Sequence, residues 1–185
     1  MFNTDPKTLL RIAPLIQRVL VIDSNSAAAR LAGDLMKEIG ARQIATVMRG
    51  ERALAAMMEF EPQIILTELV GPGFDGLEFT RQLRRSPTVA RQSPVIMITA
   101  VATAASILGA RNAGVHEFLR KPYTAGDLFK RVENVVLKPR DWIDAQMYVG
   151  PDRRRFNSCE FSGSKKRRSD AAIAAAEAQA MQKAG

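Results

Sequence analysis

The chain has 185 residues, of which 46% are hydrophobic, and its formal charge is +8 because 27 Lys and Arg stand against 19 Asp and Glu. This length supports one domain with a hydrophobic core plus additional segments, and the lack of a long apolar run argues against a membrane span. A single cysteine, Cys159, excludes an internal disulfide framework and favours the cytoplasm, and the first residues do not form a signal-peptide pattern.

The apolar pattern along the first three quarters of the chain alternates between short runs, typical of buried strands, and the spacing of amphipathic helices. The predicted strands cover residues 18–23, 42–48, 64–68, 94–99 and 115–119. Each strand is followed by a predicted helix: one from the N-caps at 24–26 to Gly40, then 50–60, 76–85, 103–113 and 125–137. Five strands alternating with five helices predict an α/β fold with a parallel sheet and helices on both faces.

Helical and strand spacing also assigns individual side chains to a face. Leu31 and Met58 are expected on the inner faces of their helices, and Arg84 on the outer face of its helix. His116, the only histidine, is expected at a partly exposed position of the fifth strand. Residues 1–17 are expected to form a short helix or an irregular arm on the domain.

Polar or charged side chains stand where four of the predicted strands end. They are Asp23, Glu68, Thr99 and Lys121. In an open α/β sheet the carboxyl ends of the strands line the crevice in which ligands and chemistry are found. The sequence GPGFDG shortly after Glu68 has the composition of a turn that leads into a helix. We therefore predict a functional site at this edge of the sheet, with Glu68 at its centre.

From about residue 18 to residue 138 the chain resembles the receiver domain of two-component response regulators, the family typified by the single-domain chemotaxis regulator. The resemblance rests on VLVID followed by Ser24, PGFDG after the third strand, PVIMITA at the fourth, and FLRKP after the fifth. It implies a doubly wound, flavodoxin-like sheet with strand order 2-1-3-4-5 and a role in phosphorelay signal transduction. The chain then divides into an N-terminal extension (1–17), a receiver domain (18–138) and a basic tail (139–185).

The resemblance also implies a changed phosphorylation site. In the family, an aspartate at the end of the third strand accepts a phosphoryl group from a histidine kinase, and here Glu68 stands at that position. An acidic pair after the first strand binds Mg²⁺ in the family, and here the pair is Asp23 followed by Ser24. Mg²⁺ demands near-ideal octahedral oxygen geometry, so we expect weak or absent Mg²⁺ binding at Asp23 and Glu68, no other cofactor, and poor phosphoryl transfer.

Three further positions match the family's signalling residues. Thr99 matches the hydroxyl residue that contacts the phosphoryl group, Lys121 the lysine that pairs with it, and Phe118 the aromatic switch. Pro122 matches a proline that follows an unusual peptide bond. One hypothesis is that Glu68, longer than aspartate by a methylene, meets Lys121 and Thr99 and partly mimics the phosphorylated state. The alternative is a silent site that is kept as part of a binding fold.

The tail is the more densely positive part of the chain, because residues 138–185 carry ten Lys and Arg against six Asp and Glu. We expect its first part to dock on the receiver through Trp142 and Tyr148, and the rest to be mobile, with a marginal alanine-rich helix over 169–183. Basic residues interleaved with aromatics are candidates for anion binding. They are Arg153, Arg154, Arg155, Lys165, Lys166, Arg167 and Arg168.

Taken together, these features predict a signalling protein that acts by contact with other proteins and is not an enzyme. The sequence offers no nucleophile–base pair and no Gly-rich phosphate loop, and the tail is expected to be too short for a helix-turn-helix output domain. The resemblance implies a partner face built from the fourth helix, fifth strand and fifth helix of the domain. Kinases, scaffold or motor proteins and a second copy of the chain are the expected partners. The alternative function is binding of a cyclic dinucleotide, or another anionic ligand, through the arginine-rich tail.

Overall fold

The computed structural model describes residues 5–155 of the chain. Within them, the short apolar runs of the sequence form the strands. The strands are β1 (Arg18–Ile22), β2 (Gln43–Val47), β3 (Ile64–Glu68), β4 (Val70–Gly71), β5 (Phe74–Asp75), β6 (Val95–Thr99), β7 (Glu117–Arg120), β8 (Trp142–Ala145) and β9 (Tyr148–Pro151). Five of them form a parallel sheet in the order β2-β1-β3-β6-β7. This is the predicted order 2-1-3-4-5, so the fold class is confirmed.

Six α-helices accompany the strands within residues 5–155. They are α1 (Pro6–Ile12), α2 (Ser26–Ile39), α3 (Ala53–Phe60), α4 (Gly76–Arg85), α5 (Ala104–Ala113) and α6 (Ala125–Leu137). Side chains alternate along β1, so that Val19 packs with α1, α2 and α6 on one face of the sheet while Leu20 packs with α3, α4 and α5 on the other. The buried side chains therefore form two core layers, one on each face of the sheet.

Side-chain caps fix where most of the central helices begin. Asn25 accepts a hydrogen bond from the backbone N–H of Ala28 at the start of α2, and Asp75 accepts from the N–H groups of Leu77 and Glu78 at the start of α4. Such caps satisfy N–H groups that have no partner within the helix. Because α4 begins directly after Asp75, its N-terminus lies beside the turn that follows Glu68.

Two predictions of core-facing positions in the helices are wrong. Leu31 is 52% exposed, because α2 turns its small residues and Met36 toward the sheet. Met58 is 57% exposed, because the neighbouring Met57 occupies the inner position of α3. The predicted helices themselves are present, and α1 followed by a 3₁₀ turn accounts for the expected short N-terminal helix.

The first part of the tail forms an antiparallel hairpin, β8–β9, that packs against the domain. Tyr148 is buried and Trp142 is half-buried, as expected for a docked segment. The guanidinium of Arg140 donates to the carbonyls of Val115 and His116, directly before β7 begins. The hairpin therefore lies at the end of the sheet opposite to Glu68.

No helix within residues 5–155 is both long enough and apolar enough to cross a membrane.

Candidate functional site

The four side chains predicted to meet at the carboxyl end of the sheet do so. Asp23, Glu68 and Thr99 are buried, and Lys121 is half-buried. Parallel pairing of β1 with β3, and of β6 with both β3 and β7, sets the ends of these strands side by side. The backbone N–H of Lys121 donates to the carbonyl of Thr99 at 2.7 Å, which fixes the last pair of strand ends.

The carboxylate of Glu68 is held by Ser24. The backbone N–H of Ser24 donates to Oε1 at 2.9 Å, and its hydroxyl donates to Oε2 at 2.9 Å. Within residues 5–155, Glu68 makes no ion pair with Lys121 and no hydrogen bond with Thr99. The hypothesis that Glu68 meets these two residues is therefore contradicted, because its carboxylate is turned toward Ser24 in the β1–α2 loop.

Lys121 instead pairs with Asp23. Its Nζ lies 2.6 Å from Oδ2 of Asp23, and Oδ1 of Asp23 accepts from the backbone N–H of Asn25 at 2.9 Å. Nearby, burial and, to a lesser extent, the charge of Asp23 raise the pKa of Tyr123. The one cation and one of the two carboxylates of the site thus neutralise each other, while the charge of Glu68 is stabilised by the neutral donors of Ser24.

Two glycines make room for Glu68. A Cβ atom on Gly71 would overlap Oε1 of Glu68, and a Cβ atom on Gly76 would overlap the carbonyl oxygen of Glu68. The strands β4 and β5 pair Gly71 with Phe74, and this short hairpin brings the glycine backbone against the carboxylate. The turn residues after Glu68 therefore form one wall of its cradle.

The residues of this site do not fit a magnesium ion as they are arranged. All four carboxylate oxygens of Asp23 and Glu68 already accept hydrogen bonds from protein groups. Within residues 5–155 no three His, Cys, Asp or Glu side chains come together as a possible metal site. Since Mg²⁺ requires several oxygens in near-octahedral positions, its binding would have to share or rearrange these already hydrogen-bonded oxygens.

The remaining family positions are arranged around the same edge. The hydroxyl of Thr99 accepts from the backbone N–H of Val101 at 3.1 Å. Phe118 is buried in the core layer under α3, α4 and α5, so its ring points inward. The peptide bond between Lys121 and Pro122 is cis, in agreement with the expected unusual peptide.

Comparison with known proteins decides the family. A sequence profile described as "Response regulator receiver domain" matches residues 19–133. The chain belongs to the response regulator receiver family. The receiver is 35% identical over 120 residues to the response regulator PleD of Caulobacter vibrioides, which covers 64% of this chain and 26% of PleD. It is 28% identical over 116 residues to the DNA-binding response regulator MtrA of Mycobacterium tuberculosis, covering 63% of this chain and 49% of MtrA. The chain thus matches half or less of the length of these relatives.

Solved receivers share the fold. The signal receiver domain of a response regulator from Bermanella marisrubri superposes with a TM-score of 0.58 at 28% identity, covering 65% of this chain and 98% of that one. The chemotaxis protein CheY4 of Vibrio cholerae, at 21% identity, has a TM-score of 0.60 and covers 65% of this chain and 98% of its own. The receiver assignment and its place in two-component signalling therefore follow from sequence and fold together.

The expected partner face of the receiver consists of α5, β7 and α6. It exposes Leu108 and Arg120. Between α6 and β7, Arg131 and Glu117 form an ion pair at 3.2 Å with little exposure. Burial raises the pKa of the Glu117 carboxyl, although the positive charge of Arg131 opposes this effect. This face is thus partly apolar, basic at its rim and supported by an internal ion pair.

The tail arginines lie away from the strand-end site. The guanidinium of Arg153 lies 4.4 Å from the ring centroid of Tyr148 and donates to Oδ1 of Asn112 at 3.4 Å. Arg154 is exposed near Asp152. Arg155 ends the 3₁₀ turn that follows the hairpin. The other anion-binding candidates lie outside the described residues: Lys165, Lys166, Arg167 and Arg168.

Two residues under the hairpin correct the sequence analysis. Arg84, predicted to face outward, is 1% exposed, and His116, predicted to be partly exposed, is buried beside it. Nη2 of Arg84 lies 3.1 Å from Nδ1 of His116, which also accepts from the backbone N–H of Val95. One signal was present in the sequence, since Arg84 follows Phe79, Thr80 and Leu83 at helical spacing and continues their buried stripe.

Proposed function

We propose that this receiver signals without phosphorylation, by binding another protein, and that Glu68 keeps its former phosphorylation site closed. The supporting observation is that both carboxylate oxygens of Glu68 accept hydrogen bonds from Ser24, while Lys121 is engaged by Asp23. The groups that phosphoryl transfer in the family would use are thus occupied by each other. The protein would then act as a binding module of the cytoplasm with no enzymatic activity.

The chemistry of phosphoryl transfer explains why this arrangement is unfavourable for it. The attacking oxygen must lie in line with the leaving group, and a metal ion normally neutralises the developing charge. In Glu68 both oxygens are turned toward Ser24, and a misplacement of about 1 Å can cost a hundredfold in rate. The lost metal carboxylate at Ser24 adds a second, independent penalty.

The proposed partner face is formed by α5, β7 and α6. Its exposed Leu108 and the rim charge of Arg120 suit a protein partner with an apolar contact and acidic groups around it. A kinase, a scaffold or motor component, or a second copy of this receiver are the candidate partners. Because the strand-end site needs no added ligand, we expect this face to be ready for binding in the unmodified protein.

Incubation with acetyl phosphate and Mg²⁺ tests the proposal, with intact-mass spectrometry as the measurement. The native chain is expected to show no phosphorylated species. The double variant Ser24→Asp/Glu68→Asp, which restores both family carboxylates, is the positive control and is expected to become labelled. A Mg²⁺-dependent acyl phosphate on Glu68 of the native chain would refute the proposal.

A second candidate function is binding of a cyclic dinucleotide by the tail. The stacking of Arg153 on Tyr148 and the exposure of Arg154 favour it, because guanidinium groups beside an aromatic ring suit phosphates and bases. Calorimetry with cyclic di-GMP on the native chain and on Arg153→Gln/Arg154→Gln distinguishes the two functions. Saturable binding that the double variant loses supports the candidate. Point variants are preferable to truncation after Lys138, which would uncover Arg84.

A further inference from the structure

A buried cation without an acidic partner lies under the hairpin. Arg84 is the largest fully buried residue within residues 5–155. No carboxylate of these residues pairs with it. Its Nε and Nη2 donate to the carbonyl of Gly114 at 3.0 and 2.9 Å, and Nη1 donates to the carbonyls of Arg91 and Ser93. Buried charges in proteins are normally paired with an opposite charge, whereas within the described residues Arg84 is met only by backbone carbonyls, His116 and the ring of Trp142 and by no anion.

No carboxylate in the described surroundings is free to compensate the positive charge of Arg84. The carboxylates of the region pair with other arginines: Glu78 with Arg81, Asp144 with Arg91, and Asp152 with Arg154. Burial lowers the pKa of Arg84 to about 9; Tyr148 opposes this shift, and the charge of Arg140 makes a smaller contribution in the same direction as burial. An anion close to the guanidinium would therefore lower the free energy of this part of the fold.

A cavity beside Arg84 offers the space for such an anion. It has a volume of about 150 Å³ and lies between the C-terminal turn of α4, the end of α5 and the strand β9. Its polar lining comes from Arg81, Arg84, Arg85, Asn112 and Tyr148. No carboxylate lines it, and a space of this size holds a few water molecules or one tetrahedral oxyanion.

We propose that this cavity binds a phosphate group. Arg85 is exposed, and within residues 5–155 it has no hydrogen-bond or ion-pair partner, so its guanidinium is available for the charge-assisted hydrogen bonds that phosphate oxygens accept. Asn112 uses its Oδ1 to accept from Arg153, which leaves its Nδ2 as a second donor. Arg84 contributes a fixed positive field, since its N–H groups are occupied by carbonyls and His116.

This cavity is distinct from the strand-end site of the proposed function, and the experiment that tests it does not depend on that function. It lies at the end of the sheet where β6 and β7 begin, whereas Glu68 and Ser24 lie at the other end. A phosphate there could be free or could be carried by a larger molecule as an ester, because Arg85 lies at the exposed side of the cavity.

The chain contains its own reporter for this site. Trp142, the only tryptophan, has its ring centroid 5.5 Å from the guanidinium carbon of Arg84. We titrate the full chain with inorganic phosphate and follow Trp142 fluorescence. Sodium chloride keeps the ionic strength constant throughout. We expect a saturable change, together with NMR shifts of the Asn112 side-chain amide and the Gly114 backbone amide.

Two arginine variants make the test specific. Arg85→Gln is expected to weaken phosphate binding about tenfold, the equivalent of one charge-assisted hydrogen bond. Arg49→Gln removes an exposed arginine just after β2, at the opposite end of the sheet, and is expected to leave binding unchanged. The proposal is overturned if the native chain gives no saturable change, if chloride alone reproduces the change, or if both variants behave alike.

Adenosine 5′-monophosphate distinguishes the two sources of the phosphate group. Binding as tight as that of inorganic phosphate, with the same loss in Arg85→Gln, supports a cavity that accepts phosphate esters. Binding of inorganic phosphate alone supports a site for the free anion.

Discussion

The hydrogen bond between the hydroxyl of Ser24 and Glu68 can be removed without disturbing the rest of the site. Ser24→Ala deletes the 2.9 Å bond to Oε2 but keeps the backbone bond to Oε1. Hydrogen bonds to charged groups contribute about 1.5–3 kcal/mol. Because Glu68 is buried while Ser24 is exposed, water can replace part of the lost bond, and we expect the free energy of unfolding to fall by about 1–2 kcal/mol.

Urea denaturation at neutral pH measures this loss as a shift of the midpoint at constant m. Ser26→Ala is the matched control. It lies two residues away at the start of α2, it is exposed, and no side-chain hydrogen bond of Ser26 exists within the described residues, so its effect should stay within about 0.5 kcal/mol. In the background of Glu68→Gln, the cost of Ser24→Ala should be smaller. Equal costs for the two serine variants would refute the reasoning, because Glu68 would then not depend on the hydroxyl of Ser24.

Three other substitutions test the structure at separate places. Gly71→Ala should displace the carboxylate of Glu68, because the new Cβ overlaps Oε1. We expect the free energy of unfolding, measured by urea denaturation, to fall by about 1–3 kcal/mol. An unchanged urea midpoint would contradict this expectation. Burial lowers the pKa of His116 well below 6.5, so below pH 6.5 the unfolded chain binds a proton that the folded chain excludes. Stability should therefore fall by about 1.4 kcal/mol per pH unit below 6.5, and His116→Gln should remove that part of the slope. Arg84→Met leaves the buried carbonyl of Gly114 and the partly buried carbonyls of Arg91 and Ser93 without their donor and should cost about 3 kcal/mol or more, whereas Arg85→Met should change thermal stability little.

The strand-end cluster could be predicted from sequence because it depends on the backbone alone. Once the apolar runs define parallel strands, Asp23, Glu68, Thr99 and Lys121 must meet at one edge. Which of them touch could not be predicted, because it depends on how far each side chain reaches. Glu68 reaches the N–H and hydroxyl of Ser24 in the loop after β1, and Lys121 pairs with Asp23 instead.

The environment of Arg84 shows a different limit. Arg84 continues the buried stripe of α4 formed by Phe79, Thr80 and Leu83, but arginine is normally exposed, so the sequence predicts an outward position for it. Its partners are carbonyls of Arg91, Ser93 and Gly114 together with the ring of Trp142, and only the folded chain brings these groups together. Tertiary contacts thus overrode a residue preference that is correct for most arginines.

The most direct test of the proposal that the phosphorylation site is closed is a crystal of the native chain soaked with Mg²⁺ and beryllofluoride, a mimic of the phosphoryl group. The double variant Ser24→Asp/Glu68→Asp, soaked in the same way, shows that the conditions are adequate. We predict that native Glu68 keeps both hydrogen bonds to Ser24, that Lys121 stays with Asp23, and that neither added ligand binds there. Density for Mg²⁺ on Asp23 and beryllofluoride on Glu68 of the native chain would contradict this account.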